Sequence, residues 1–147
     1  MTYWYDMFNE ETWQELVNNG GKEDGFNEDA ISRVNEMQSG DILICYCRKI
    51  CTWFNAYEIA DKLPTSEKGI FKDYDCPIRI GIREIKFPYL KPENGIPVKE
   101  TIRKLKFFTG INGNHWGPFM HTFPRKMNVT DGDYLMDELR KLNKRSH

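Results

Sequence analysis

The stretch from Gly40 to Ala60, GDILICYCRKICTWFNAYEIA, constrains this chain more than any other. A Gly-Asp turn opens it, and the apolar run Ile42, Leu43, Ile44, Cys45, Tyr46, Cys47 follows. Arg48-Lys49 then break the pattern before a second apolar run, Trp53 to Ile59. Two short apolar runs around a polar turn predict a strand pair. The first run does not alternate, so both of its faces are expected to be covered. The second carries Trp53, Phe54 and Tyr57, with Glu58 inside it. Aromatic faces beside buried polar groups are what a flat, unsaturated ligand needs.

Bulk properties narrow the class. At 147 residues the chain is expected to be one domain, 1–147, large enough for a proper core. An aromatic fraction of 14% argues against disorder. No apolar run approaches the roughly 20 residues that cross a bilayer, so no membrane partner is expected. The start, MTYWYDMFNEE, lacks the basic and apolar regions of a signal peptide, so the expected location is cytoplasmic. There Cys45, Cys47, Cys51 and Cys76 should stay reduced, and the sequon at Asn128 has no meaning. The net charge of −1 hides an asymmetry. Residues 1–75 hold 7 Lys+Arg and 15 Asp+Glu, whereas residues 76–147 hold 14 and 7. A basic face for nucleic acid would therefore come mostly from the second half.

The flanking segments read as short elements. Tyr3 to Met7 is a first strand. Asn9 is a helix N-cap, Phe8 and Trp13 form a hydrophobic staple, and Gly20-Gly21 end the helix. The grammar repeats at Phe26-Asn27, with a helix through Ala30, Ile31, Val34 and Met37. Asp61 to Lys72 reads as a loop. Pro77 to Phe87 reads as a strand, with Gly81 at a bulge or close approach and a change of phase near Glu84. A short helix is expected within Val98–Phe108, and a short strand at Phe119–Phe123. A capping box at Thr130–Asp133 should open a last helix, Asp131 to Leu142. Strands without regular helical interleaving make an α+β domain: a small curved or partly closed β-barrel with flanking helices.

Several segments in this order resemble the EVE domain family: YWYDMF, NEETW, DGF, SGD, ILICY, WFNAYEI and DCPIRIGI, then IPVKE, TIRKLKFF, the NHW-GPF turn and TDGD. The likeness covers nearly the whole chain, and it lies in the order and spacing of the segments. EVE domains belong to the PUA-like group, with the YTH readers of N6-methyladenine and the ASCH domains. The resemblance implies a PUA-like barrel that binds nucleic acid, DNA or RNA, with a modified base in an aromatic pocket. The chain departs from the family at Ile31 and Phe71, where many members carry Trp, and at Ala56, where many carry Gly. A Phe71 in place of Trp offers a smaller π face, so the family's base preference does not carry over.

An extruded base is held between aromatic rings and read along its edge by hydrogen bonds. The candidate pocket residues are Phe26, Asn27, Tyr46, Trp53, Phe54, Phe71, Asp75 and Arg79. Each has a plain structural alternative. Phe26 and Asn27 would equally serve as staple and cap; Tyr46, Trp53 and Phe54 as core; Asp75 as a solvated turn residue. Arg79, inside an Ile-rich strand, would contact phosphate or form a structural ion pair with Glu58. Lys104, Lys106, Trp116, Arg125 and Lys126 are candidates for backbone contacts, against a reading as ordinary surface. His115 would be an unremarkable loop histidine. Cys47-x₃-Cys51 has a usable metal spacing, but Cys45 and Cys47 lie in an apolar strand without paired CxxC motifs, so no metal is expected. No cofactor is implied. No GxSxG, HExxH, P-loop or GxGxxG is present, and nothing favours a dyad of Cys51 with His115 or His121, so an enzyme is not expected. Two alternatives remain beside a nucleic-acid reader. One is a binder of free nucleotide or another small flat ligand. The other is an ASCH-like hydrolase of modified nucleosides using Glu58 and Arg79. The sequence carries no signal of oligomeric state.

Overall fold

A computed structural model describes residues 1–110 and 116–147, apart from the side chains of residues 116 and 119. The expectations for His115 and for the Trp116 side chain lie outside the described residues. The chain opens with strand β1, Tyr3–Phe8, and helix α1, Glu10–Asn18. Asn9 caps α1 reciprocally with Thr12: its Oδ1 accepts the Thr12 N–H at 2.7 Å, and Thr12 Oγ1 accepts the Asn9 N–H at 2.9 Å. The Phe8 and Trp13 rings meet edge-on at 5.3 Å, which is the expected staple.

Strand β2, Glu23–Phe26, was not anticipated. It is four residues long and half acidic, so it carries no hydrophobic period. A 3₁₀ turn, Glu28–Ala30, and helix α2, Ile31–Glu36, follow it. Asn27 precedes that turn in extended geometry, but its side chain makes no cap bond. The expected cap is therefore corrected: the tighter first turn leaves this amide facing out.

Strands β3, Ile42–Cys47, and β4, Thr52–Leu63, form the expected antiparallel pair. β4 runs three residues into the segment expected to be a loop. Strand β5, Ile78–Ile85, pairs with it antiparallel. Tyr57 faces Ile85 but Ile59 faces Ile82, so β5 carries an extra residue at Arg83-Glu84, where the sequence changes phase. On the other side of Ile59 the extra residue lies on β4, opposite Gly81. There a Cβ on Gly81 would come within 3.4 Å of the Asp61 carbonyl oxygen. β6, Ile96–Pro97, adds to β4. The helix expected within Val98–Phe108 is instead two 3₁₀ turns, Val98–Glu100 and Lys106–Phe108. Helix α3, Trp116–Phe119, and strand β7, Arg125–Met127, displace the strand expected at Phe119–Phe123.

The last helix, α4, spans Val129–Arg145 and is capped by Asn128, whose Oδ1 accepts the Asp131 N–H at 2.9 Å. This corrects the expected box. Asp131 is buried, and its carboxylate accepts the Lys106 and Phe107 N–H groups at 2.9 and 2.7 Å.

The strands make one mixed sheet in the order β2-β5-β4-β3-β1-β7, with β1 and β3 parallel. Side chains alternate across it. Trp4, Phe8, Leu43, Cys45, Cys47 and Phe54 face one core with Trp13 and Leu16 of α1. Tyr3, Tyr5, Ile44, Tyr46 and Trp53 face a second core with Leu135 and Leu139 of α4. Both faces of β3 are covered, as the unbroken apolar run requires. The sheet curls into a half-barrel, giving the expected α+β fold.

Candidate functional site

β1 and β2 are separated by three strands in the sheet order, yet residues of both line one cavity. The curl brings them to its two sides. The cavity has a volume of about 310 Å³, at the lower end of the roughly 300–1,000 Å³ usual for small-ligand pockets. β1 and the start of α1 contribute Asp6, Phe8, Asn9 and Thr12; β2 and the residue after it contribute Asp24, Gly25, Phe26 and Asn27. The segment before β5 adds Phe71, Tyr74, Asp75 and Cys76, and the segment before β7 adds His121 and Phe123. Arg48, from the β3–β4 turn, completes the wall. Phe8, Phe26 and Phe71 are buried, whereas Asn27, Tyr74, Asp75 and His121 are exposed. An aromatic interior thus opens through a polar rim.

Close backbone approach shapes this wall. A Cβ on Gly25 would lie 2.9 Å from the Cys76 carbonyl oxygen and 3.3 Å from Arg79 Nε. Only glycine lets β2 sit so near the 64–77 segment. Arg79 holds that segment from behind. It is 4% exposed; its Nε donates to the Cys76 carbonyl at 2.7 Å and its Nη2 to the carbonyls of Ser66 and Lys68. Its ion-pair partner is Glu23, at 3.1 Å, and not Glu58. Glu58 pairs with Arg83 at 3.1 Å and with Lys86 at 3.8 Å. Arg79 does not line the cavity. The acid/base pair imagined for a hydrolase is thereby taken apart, because the two side chains have different partners.

Of the other pocket candidates, Phe26, Asn27, Phe71 and Asp75 meet at the cavity and Tyr46, Trp53 and Phe54 do not. The reason is the place of β3 and β4 in mid-sheet. Trp53 and Phe54 point to opposite faces of β4, but both faces are core and both residues are fully buried, which is the plain structural alternative. Trp53 donates from Nε1 to Thr101 Oγ1 at 3.1 Å and meets Tyr46 at 5.7 Å. Phe54 stands edge-on to Trp13 at 4.9 Å.

Sequence reading took Phe8 only as a staple, and it also missed two acids in the lining, Asp6 and Asp24. Both are buried, at 2% and 0% exposure, and their carboxyls hydrogen-bond to each other. Asp24 also accepts from the Gly25 N–H at 2.7 Å and from the Tyr57 hydroxyl. Burial, then the Asp24 charge, push the Asp6 carboxyl well above the ordinary carboxylate range. Burial raises Asp24 as well, against its hydrogen bonds and the Arg79 charge. Burial and Asp24 raise the Cys76 thiol to about 11. A signal was available in YWYDMF: a lone acid on the inward face of an aromatic strand.

Lys126 and Arg125 lie on β7, immediately beyond the cavity residue Phe123 and Pro124. Lys126 Nζ stands 3.2 Å from Glu36 and 5.6 Å from the centre of the Trp4 ring. Lys104 lies 5.8 Å over Tyr134, and both Lys104 and Lys106 are exposed. A second hollow of about 590 Å³ lies between α1 and the 88–93 segment, but among the described residues Trp13 is the only aromatic on its wall.

No protein-family profile matches the chain, and no characterised protein matches it in sequence. Solved structures match it in fold. The Mmi1 YTH domain aligns with a TM-score of 0.66 at 11% identity, covering 99% of this chain and 99% of its own. The Pho92 YTH domain in complex with m6A aligns at 0.63 and 12%, covering 92% and 81%. Rpa0253 from Rhodopseudomonas palustris aligns at 0.62 and 11%, covering 97% and 95%. The Mmi1 domain has also been solved with RNA, and that structure aligns at 0.65. The chain is similar to these proteins in fold.

Proposed function

We propose that this chain is a non-enzymatic nucleic-acid-binding domain that captures one modified base in the cavity between β1 and β2. One observation carries the reading: three buried rings, Phe8, Phe26 and Phe71, share a cavity that opens through a polar rim. Stacking on one ring contributes roughly 1–3 kcal/mol, so two rings offset the few kcal/mol that unstacking costs. Asn27, with its amide unspent on the helix, reads the base edge. Arg125, Lys126, Lys104 and Lys106 track the phosphates, and Arg48 stands at the cavity itself. Similar folds solved with RNA and with m6A favour RNA over DNA as the partner. The EVE likeness points to the same PUA-like group, and the whole chain acts as one cytoplasmic domain. Among the described residues no helix is long and apolar enough to cross a membrane.

The test is a panel of methylated and unmethylated oligonucleotides, single- and double-stranded, RNA and DNA, titrated at two salt concentrations. The expected result is salt-dependent binding that is tighter for at least one methylated single strand. Equal affinity for every methylated and unmethylated pair sinks the reading. Stabilisation by free mononucleotides with no salt dependence supports the free-ligand alternative instead.

A further inference from the structure

Base capture leaves the floor of the cavity unexplained, because the floor is acidic. Asp6 and Asp24 meet there, nearly without solvent exposure. Asp24 has partners on both oxygens, the Tyr57 hydroxyl and the Gly25 N–H. Asp6 has the Met7 N–H at 2.8 Å and the Asp24 carboxyl. The other groups facing the pair are the Cys45 and Cys76 thiols and Arg79. Arg79 is engaged by Glu23 and three carbonyls. At the rim stand Asp75, Arg48 and His121. The lining thus holds three carboxyls against one guanidinium. The rings beside them present negative π faces, which attract a flat cation. A neutral base would gain stacking and hydrogen bonds to the acids; only a cationic base also gains from their negative charge.

We propose that the cavity selects a nucleobase made cationic at neutral pH by ring N-methylation, such as 1-methyladenine, with that charge set against Asp6 and Asp24. This rests on the base-capture reading and narrows its ligand. Two touching buried carboxyls do not both ionise, so in the free protein they share one proton. A bound cation favours the doubly ionised pair, and that proton is released to solvent. Binding therefore strengthens as pH rises, over the range in which the free pair still holds its proton.

N6-Methyladenine and 1-methyladenine differ in charge but carry the same methyl group. One RNA sequence is made with adenine, N6-methyladenine or 1-methyladenine at a central position, and bound to the intact protein at constant salt. The 1-methyl strand is expected to bind at least about tenfold tighter than the N6-methyl strand. That advantage should grow as pH rises from about pH 5 to about pH 7, where 1-methyladenine stays cationic, and shrink in Asp6→Asn. If the N6-methyl strand binds as tightly or more tightly at every pH, the charge proposal is overturned while base capture survives. If neither methylated strand binds better than plain adenine, the charge proposal falls, and base capture then stands or falls on the wider methylated panel. The wild-type comparison decides the matter even if Asp6→Asn does not fold.

Discussion

Phe26, Phe71 and Trp53 are aromatic and buried alike, at 2%, 7% and 0% exposure, but only the first two present a face to the cavity. All three substitutions remove core volume and should lower stability by about 3–5 kcal/mol. Phe26→Ala and Phe71→Ala should in addition weaken binding of the preferred oligonucleotide by roughly 1–3 kcal/mol, whereas Trp53→Ala should leave the affinity of the folded protein unchanged. Urea denaturation alongside oligonucleotide titration separates the two, and a Trp53→Ala that loses binding without losing stability contradicts the assignment. Asp6 and Asp24 make a pH prediction. In the unfolded chain both ionise near pH 4. In the folded protein burial raises both, and the Asp24 charge raises Asp6 further, so the pair keeps a proton above that pH. The folded state then binds more protons than the unfolded one, and stability falls as pH rises from that point until the folded pair ionises. Thermal melts of the wild type should decline from about pH 5 toward neutrality more steeply than those of Asp6→Asn. Parallel curves contradict a shared proton.

The elements show why some segments were legible and others were not. β1, α1, β3 and β5 announce themselves through caps, periods and a change of phase that the bulge at Arg83-Glu84 explains. β2 did not, because Glu23 and Asp24 give it no apolar period; it is a strand only because β5 and the curl supply its partners. The cap expected at Thr130 lies two residues earlier, at Asn128. Asp131, expected to open the helix, sits inside its first turn, held by the Lys106 and Phe107 amides, a tertiary contact invisible in the chain order. Within α4, Gly132 lies against the Tyr3 ring, where a Cβ would come 2.0 Å from Cδ2. Tyr3 is held by its hydroxyl, which donates to Asp133 at 2.7 Å, so the ring has little room to yield. Gly132→Ala should lower stability by about 1–3 kcal/mol through overpacking, despite the better helix propensity of alanine. Unchanged denaturation midpoints would show that α4 shifts freely on β1.

For the whole molecule, the fold was legible and the site only in part. Alternation and unbroken runs are consequences of burial, so they report layers faithfully. Which buried ring borders a cavity depends on curl, and curl brings together β1 and β2, which three strands separate in the sheet order. That is why Phe26 and Phe71 were found, while Trp53 was misread and the two aspartates were overlooked. Charge is also distributed by the fold, with the basic second half supplying β7 beside the cavity. Lys126→Ala should reduce the slope of log affinity against log salt by about 0.7, the contribution of one phosphate contact on a single strand. Its preference among methylated strands should stay that of the wild type, and a changed preference places Lys126 at the base instead. The most direct measurement of the central claim is an amide chemical-shift map of the protein during titration with a singly methylated RNA. Base capture predicts the largest changes at Gly25, Phe26, Asn27, Phe71 and Cys76, with smaller ones along Arg125 and Lys126. Changes confined to β7 and α4, with Gly25 to Asn27 unmoved, contradict it.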